Sequence, residues 1–201
     1  MRDNIKEVAT QLLIQNGYQG FRFRDIATQL NVTRANVHYH FGNKQQLAEE
    51  VIVEYVADAL NAYQAIWLDP CSTLDEKINR LKDETKKRYL KYNPTGRTGA
   101  PWSLLARMRF ERDLLSDKAR EAVEMYGERL ESVIFEGMAM AVQKKELSPD
   151  TPIKDISFQL VTVTNSAGPI TQDSGSFDRL EELYCALARI IQHAFGNAPA
   201  A

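Results

Sequence analysis

Apolar residues recur at helical spacing along nearly the whole chain, and no stretch alternates as a half-buried strand would. Ile5, Val8, Ala9, Leu12 and Leu13 mark a first helix over about 2–16, with Gly17 where a helix closes. Residues 23–44, FRDIATQLNVTRANVHYHFGNK, predict two short helices joined by a tight turn. Ile26, Ala27 and Leu30 share one face, and Ala27 is small enough for a second helix to cross close above it. Asn31 suits the left-handed position that so short a stop needs, and Val32 fills the angle between the helices. Thr33 is placed to cap the second helix, whose apolar face continues through Val37 and Phe41. This is a helix-turn-helix pattern, in which the second helix lies in the DNA major groove.

Beyond it, Leu47, Val51, Tyr55, Leu60, Tyr63 and Trp67 fall on one stripe, predicting a helix over about 44–68 that ends at Asp69-Pro70. At 1.5 Å per residue it is a rod of roughly 36 Å, the expected mechanical link between head and body. Thr73 opens a helix with a strongly charged outer face. Residues 93–101 carry two Pro and two Gly and read as the clearest loop. A short helix over 102–113, a long one from 116 to near 146, and two last helices over 153–167 and 177–195 complete the chain. The expected fold is all-α, with a three-helix head over 1–46, a helical body over 47–201, and about nine helices in total.

Composition changes this picture little. No apolar run approaches the roughly 20 residues of a membrane helix, so a cytoplasmic protein with no membrane partner is expected. Cys71 and Cys185 lack metal-type spacing and read as free thiols. His38 and His40 stand two apart on a helix and do not share a face, so neither metal nor cofactor is expected. Charge is more informative. The chain is net −2, yet residues 1–48 hold six Lys/Arg against three Asp/Glu, a basic head on an acidic body. That excess is small, so strong DNA binding should need two heads at once.

The outward positions of the second helix of the pair are Arg34, Asn36, His38, Tyr39 and His40, and Arg and Asn are the side chains that pair bidentately with guanine and adenine edges. The run 5–47 resembles the DNA-binding head of the TetR (tetracycline-repressor) family. The resemblance is carried by the amphipathic first helix, Gly17-Tyr18, Asp25-Ile26-Ala27, Val32-Thr33, His40-Phe41, Asn43-Lys44 and Leu47. The chain departs from the family where Asn31 replaces the usual turn Gly, where Phe21-Arg22 replaces the hydroxyl pair that opens the second helix, and where His38 replaces a common Tyr. The resemblance implies DNA contacts at Arg24, Thr33, Arg34, Ala35, Asn36, His38, Tyr39, His40 and Lys44. Double-stranded DNA, as a palindromic operator read by a homodimer, is the implied partner.

Two further sites are expected in the body. Tyr63, Trp67, Tyr89, Tyr92, Trp102, Met108, Phe110, Met125 and Tyr126 gather large adaptable side chains into a candidate site for an unknown small-molecule effector, with the 93–101 loop as its entrance; the same residues also suit a solid core. The last helix pair resembles the part of the family that builds a four-helix bundle between subunits. Ile156, Leu160, Val163, Leu180, Leu183, Tyr184, Leu187 and Ile191 are the candidate dimer interface, or alternatively the closure of the monomer core. The leading function is a ligand-responsive transcriptional regulator, in this family usually a repressor. An architectural DNA-binding protein without effector is the second reading. A small helical enzyme ranks last, because outside the head the single histidine is His193 and no acid-base or nucleophile constellation stands out.

Overall fold

A short polar turn chemistry punctuates an almost continuous helical pattern, and the computed structural model, which describes residues 1–197, contains ten α-helices and no β-strand among them. They are α1 (Arg2–Gly20), α2 (Phe23–Leu30), α3 (Arg34–Phe41), α4 (Lys44–Trp67), α5 (Leu74–Tyr92), α6 (Leu104–Phe110), α7 (Asp117–Gln143), α8 (Ile153–Asn165), α9 (Ala167–Ser174) and α10 (Asp178–Phe195). A 3-10 turn, Arg112–Leu114, follows α6. Among the described residues no helix is long and apolar enough to cross a membrane. The chain forms two compact units: Met1–Ala59 with Pro101–Tyr126, and Leu60–Ala100 with the described residues from 127 on. Residues 47–59 and 101–126 therefore cluster with the head expected over 1–46.

In the first unit α1 buries Ile5, Ala9, Leu12, Leu13 and Ile14 and packs on α2 and α6. Gly17 interrupts it with φ 69° and ψ 178°, a backbone conformation essentially reserved for glycine, and the helix resumes to Gly20 rather than closing at 17. Asn31 takes the left-handed conformation (φ 51°, ψ 46°), and the amide of Val32 donates to the Ala27 carbonyl at 3.0 Å, closing α2 against its successor. Asn43 Oδ1 accepts from the Gln46 amide at 2.9 Å and so caps α4. Met108 is buried on α6, whereas Phe110 is 85% exposed. The helical period that turns Leu104, Leu105 and Met108 inward turns Phe110 out, so Phe110 does not line an internal site.

In the second unit the C-terminal end of α4 is held by cations. The buried Lys77 ammonium donates to the Trp67 carbonyl at 2.7 Å, and Arg80 donates to the Ala65 carbonyl at 3.3 Å and to Asp69 at 2.6 Å. Thr73 and Glu76 form a reciprocal capping box at the start of α5. The 93–101 loop is not loosely held, because the buried Asn93 side chain donates to the Tyr89 and Ala100 carbonyls and accepts from the Ala100 amide and the Thr98 hydroxyl. The segment expected to link the last two helices carries one more, α9, which packs with α8 and α10.

The candidate dimer residues divide by burial. Ile156, Leu160, Leu180, Tyr184 and Ile191 are buried within the chain's own second unit, where α10 packs on α5, α8 and α9, and Tyr184 donates its hydroxyl to Thr164 at 3.1 Å. These five are core rather than free surface. Val163, Leu183 and Leu187 remain half-buried, and the exposed apolar residues of the same helices are Phe158 and Ile190, each 61% exposed.

Candidate nucleic-acid interface

The geometry of α3 starts from its cap: Thr33 Oγ1 accepts the Asn36 amide at 3.2 Å. Val37 and Phe41 then anchor the helix in the core of the first unit, which turns Arg34, Ala35, His38 and Tyr39 toward solvent. Tyr39 is 85% exposed, with its ring edge-on to His40 at 5.4 Å. Arg34 is exposed and makes no ion pair among the described residues. Arg24 is also exposed, on α2, with Asp25 at 3.7 Å.

Other expected contacts are less available. Asn36 is half-buried, and its Oδ1 is enclosed without a partner. His38 turns back along the helix, its Nδ1 2.8 Å from the Gly42 carbonyl and its ring edge-on to Phe23 at 4.7 Å, so it braces α3 on α2. The backbone carbonyl of His40 accepts from Arg2 at 2.6 Å. The half-buried Lys44 ammonium is held in place by its neighbours. It lies 4.6 Å from the centre of the Tyr18 ring and 3.4 Å from the Gln19 carbonyl. Burial lowers its pKa, Arg22 adds to that, and Glu111 opposes it.

Two of the six cations counted in the head are consumed locally. Arg2 pairs with Glu50, and Lys6 bonds Glu54 at 2.9 Å, a bond that raises the Lys6 pKa. Arg22, Arg24, Arg34 and Lys44 remain to give the surface its positive charge. Arg22 is the residue that sequence reading missed here. It is the exposed N-cap of α2, supplies no side-chain cap, and leaves the first amides of that helix to other acceptors. The signal was the absence of the usual hydroxyl at 21–22.

Of the candidate effector residues, Trp102, Met108, Phe110, Met125 and Tyr126 lie in the first unit, and Tyr63, Trp67, Tyr89 and Tyr92 lie in the second. Within the second unit Tyr63, Trp67 and Tyr89 are buried, the Tyr89 hydroxyl donates to the Gly96 carbonyl at 3.1 Å, and the indole Nε1 of Trp67 is buried without a hydrogen-bond partner. A cavity of about 520 Å³ opens elsewhere in this unit, between α5 and α10, lined by Ile78, Asn79, Lys82, Cys185, Arg189 and His193 among others. Of the expected body residues only Tyr184, assigned to the dimer interface, reaches it. Among the described residues no group of three His, Cys, Asp or Glu is placed to hold a metal ion.

The sequence profile of the bacterial regulatory proteins of the tetR family matches residues 5–51, the segment that forms α1, α2, α3 and the start of α4. Over that segment the chain is similar to the TetR family. The HTH-type transcriptional repressor KstR2 of Mycolicibacterium smegmatis is 29% identical over 80 residues, 40% of this chain and 38% of that one. The negative regulator of the icaADBC biofilm operon, IcaR of Staphylococcus aureus, is 35% identical over 52 residues, 26% of this chain and 28% of that one. The matches thus span well under half the length of either relative. A TetR transcriptional regulator from Legionella pneumophila superimposes with a TM-score of 0.76 over 95% of this chain and 97% of that one, at 19% identity, a likeness of fold. The family profile thus matches the head, while the likeness of fold covers nearly the whole chain.

Proposed function

We propose that this chain is a DNA-binding transcriptional repressor of the TetR family that inserts α3 into the major groove. The observation that carries the reading is the outward face of α3, where Arg34, Ala35 and Tyr39 are exposed on a helix whose start is capped by Thr33 and whose inner face is anchored by Val37 and Phe41. Arg34 is the base-reading side chain, suited to the O6 and N7 of guanine, and Tyr39 offers its ring and hydroxyl to the sugar-phosphate edge. Arg24, Arg22, Lys44 and the uncapped amides of α2 are the phosphate contacts. Repression is favoured because both named relatives are repressors or negative regulators.

The protein acts as a homodimer on a palindromic operator, since one head with few unpaired cations binds weakly and two linked heads gain by occupying half-sites about 34–36 Å apart. Phe158 and Ile190, exposed on α8 and α10, favour that face for the second copy. Control by a small molecule rests on the second unit, where the buried indole donor of Trp67 has no hydrogen-bond partner, which favours a ligand with an acceptor. Selection of bound duplexes from a random-sequence pool tests the reading. Enrichment of two-fold related half-sites is the expected result; binding without any enrichment favours the architectural alternative, and no binding overturns both.

A further inference from the structure

Glu111 lies far from α3 in sequence, yet its carboxylate reaches the break in α1. Gly17 leaves the helical path there, and the freed amide of Tyr18 donates to Glu111 Oε2 at 2.5 Å. The site is built for the carboxylate on both sides. A β-carbon at position 17 would collide with Glu111 Oε1, and Arg107, one turn back on α6, holds the same oxygen at 3.3 Å from its Nε. The ring of Tyr18 carries the Lys44 ammonium on its face, and the neighbouring Gln19 carbonyl takes its bond. Tyr18, Gln19 and Lys44 thus depend on where the α1 break is held, and the side chain holding it comes from the end of α6.

We propose that Glu111 is a positioning residue for DNA binding: by accepting the Tyr18 amide it fixes the Tyr18 ring and the Gln19 carbonyl, and these set where the Lys44 ammonium stands relative to the DNA backbone. This rests on the reading of the head as a DNA-binding surface. Without the carboxylate the Tyr18 amide loses its acceptor, the break relaxes, and Lys44 loses the platform that orders its four-carbon stem. The consequence is selective, because Lys44 serves as a phosphate contact and carries no base information. Loss of Glu111 therefore weakens binding to all sequences alike.

The test is a salt titration of the full-length protein on a mixed-sequence 40-base-pair duplex. Glu111→Ala is expected to lower affinity several-fold and to reduce the slope of log affinity on log salt by about one per head, as expected for one lost phosphate contact. Lys44→Met is expected to do the same, and the double variant to bind no worse than either single one. Glu111→Gln, which restores an acceptor for the Tyr18 amide, is expected to recover most of the slope. If Glu111→Ala fails to fold, Glu111→Asp, whose carboxylate is withdrawn by one methylene, carries the same expected loss. A wild-type slope in the Ala or Asp variant, additive losses in the double variant, or no recovery in the Gln variant overturns the assignment. A wild-type protein that binds no duplex overturns the DNA-binding reading and this assignment with it, whereas a wild type that binds beside an unaltered variant overturns this assignment alone.

Discussion

Gly137 on α7 stands so close to Trp67 that a β-carbon there would lie 2.6 Å from the indole Cε3 and 2.8 Å from the Trp67 carbonyl oxygen. Neither neighbour is free to give way, since the indole is buried and the carbonyl is held by Lys77. Gly137→Ala is expected to cost about 1–3 kcal/mol by overpacking. Chemical denaturation measures it, and an unchanged midpoint would show that the contact relaxes without cost.

The Asp69 carboxylate accepts the Ser72 hydroxyl at 2.7 Å, the Cys71 amide at 3.0 Å and Arg80 at 2.6 Å, and these bonds hold its pKa well below the ordinary carboxylate range. A carboxyl with a depressed folded pKa adds stability above its unfolded value, about 4, and loses it as pH falls through the folded value. The melting temperature of the wild type should therefore exceed that of Asp69→Asn at pH 6, with the gap shrinking steadily below pH 4. A gap independent of pH would mean that the charge contributes nothing.

At α3, removal of the cap is expected to act on stability. Thr33→Ala leaves the Asn36 amide without its side-chain acceptor and is expected to cost about 1 kcal/mol. Urea unfolding should register that loss, and a stability equal to the wild type would remove Thr33 as the element that fixes the start of the helix.

On α8 and α10 the two classes of apolar residue should part. Ile190→Glu places a charge on an exposed position and is expected to leave a folded monomer by sedimentation. Leu160→Glu buries a carboxylate in the unit's own core, a cost of several kcal/mol, and is expected not to fold. A wild type that is monomeric at micromolar concentration, or an Ile190→Glu dimer as tight as the wild type, would contradict the assigned face.

What was legible in the sequence followed from short-range physics. The left-handed Asn31, the Thr33 cap, the stop after Trp67 and the start at Thr73 each depend on a few neighbouring residues, and the structure shows all four. Phe110 was misread because the helical register of a seven-residue helix is poorly determined by its own pattern. For Ile156, Leu160, Leu180, Tyr184 and Ile191 the sequence left dimer interface and monomer core both open, and they are buried within the chain itself. An apolar stripe records that a face is covered, but whether by the same chain or by a second copy depends on α5 and α9, and α9 left little periodic signal. Glu111 and Lys44 lie 67 positions apart, and nothing local marks either as acting at the break in α1.

The central claim is that α3 reads DNA sequence through Arg34, and the direct measurement is the affinity of the wild type and Arg34→Ala for the selected operator and for a scrambled duplex, each across a salt titration. The wild type is expected to prefer the operator by on the order of a thousandfold or more. Arg34→Ala is expected to lose about 1–3 kcal/mol on the operator with a much smaller change on the scrambled duplex. Equal wild-type affinity for the two duplexes, or an Arg34→Ala protein with undiminished preference, would contradict it.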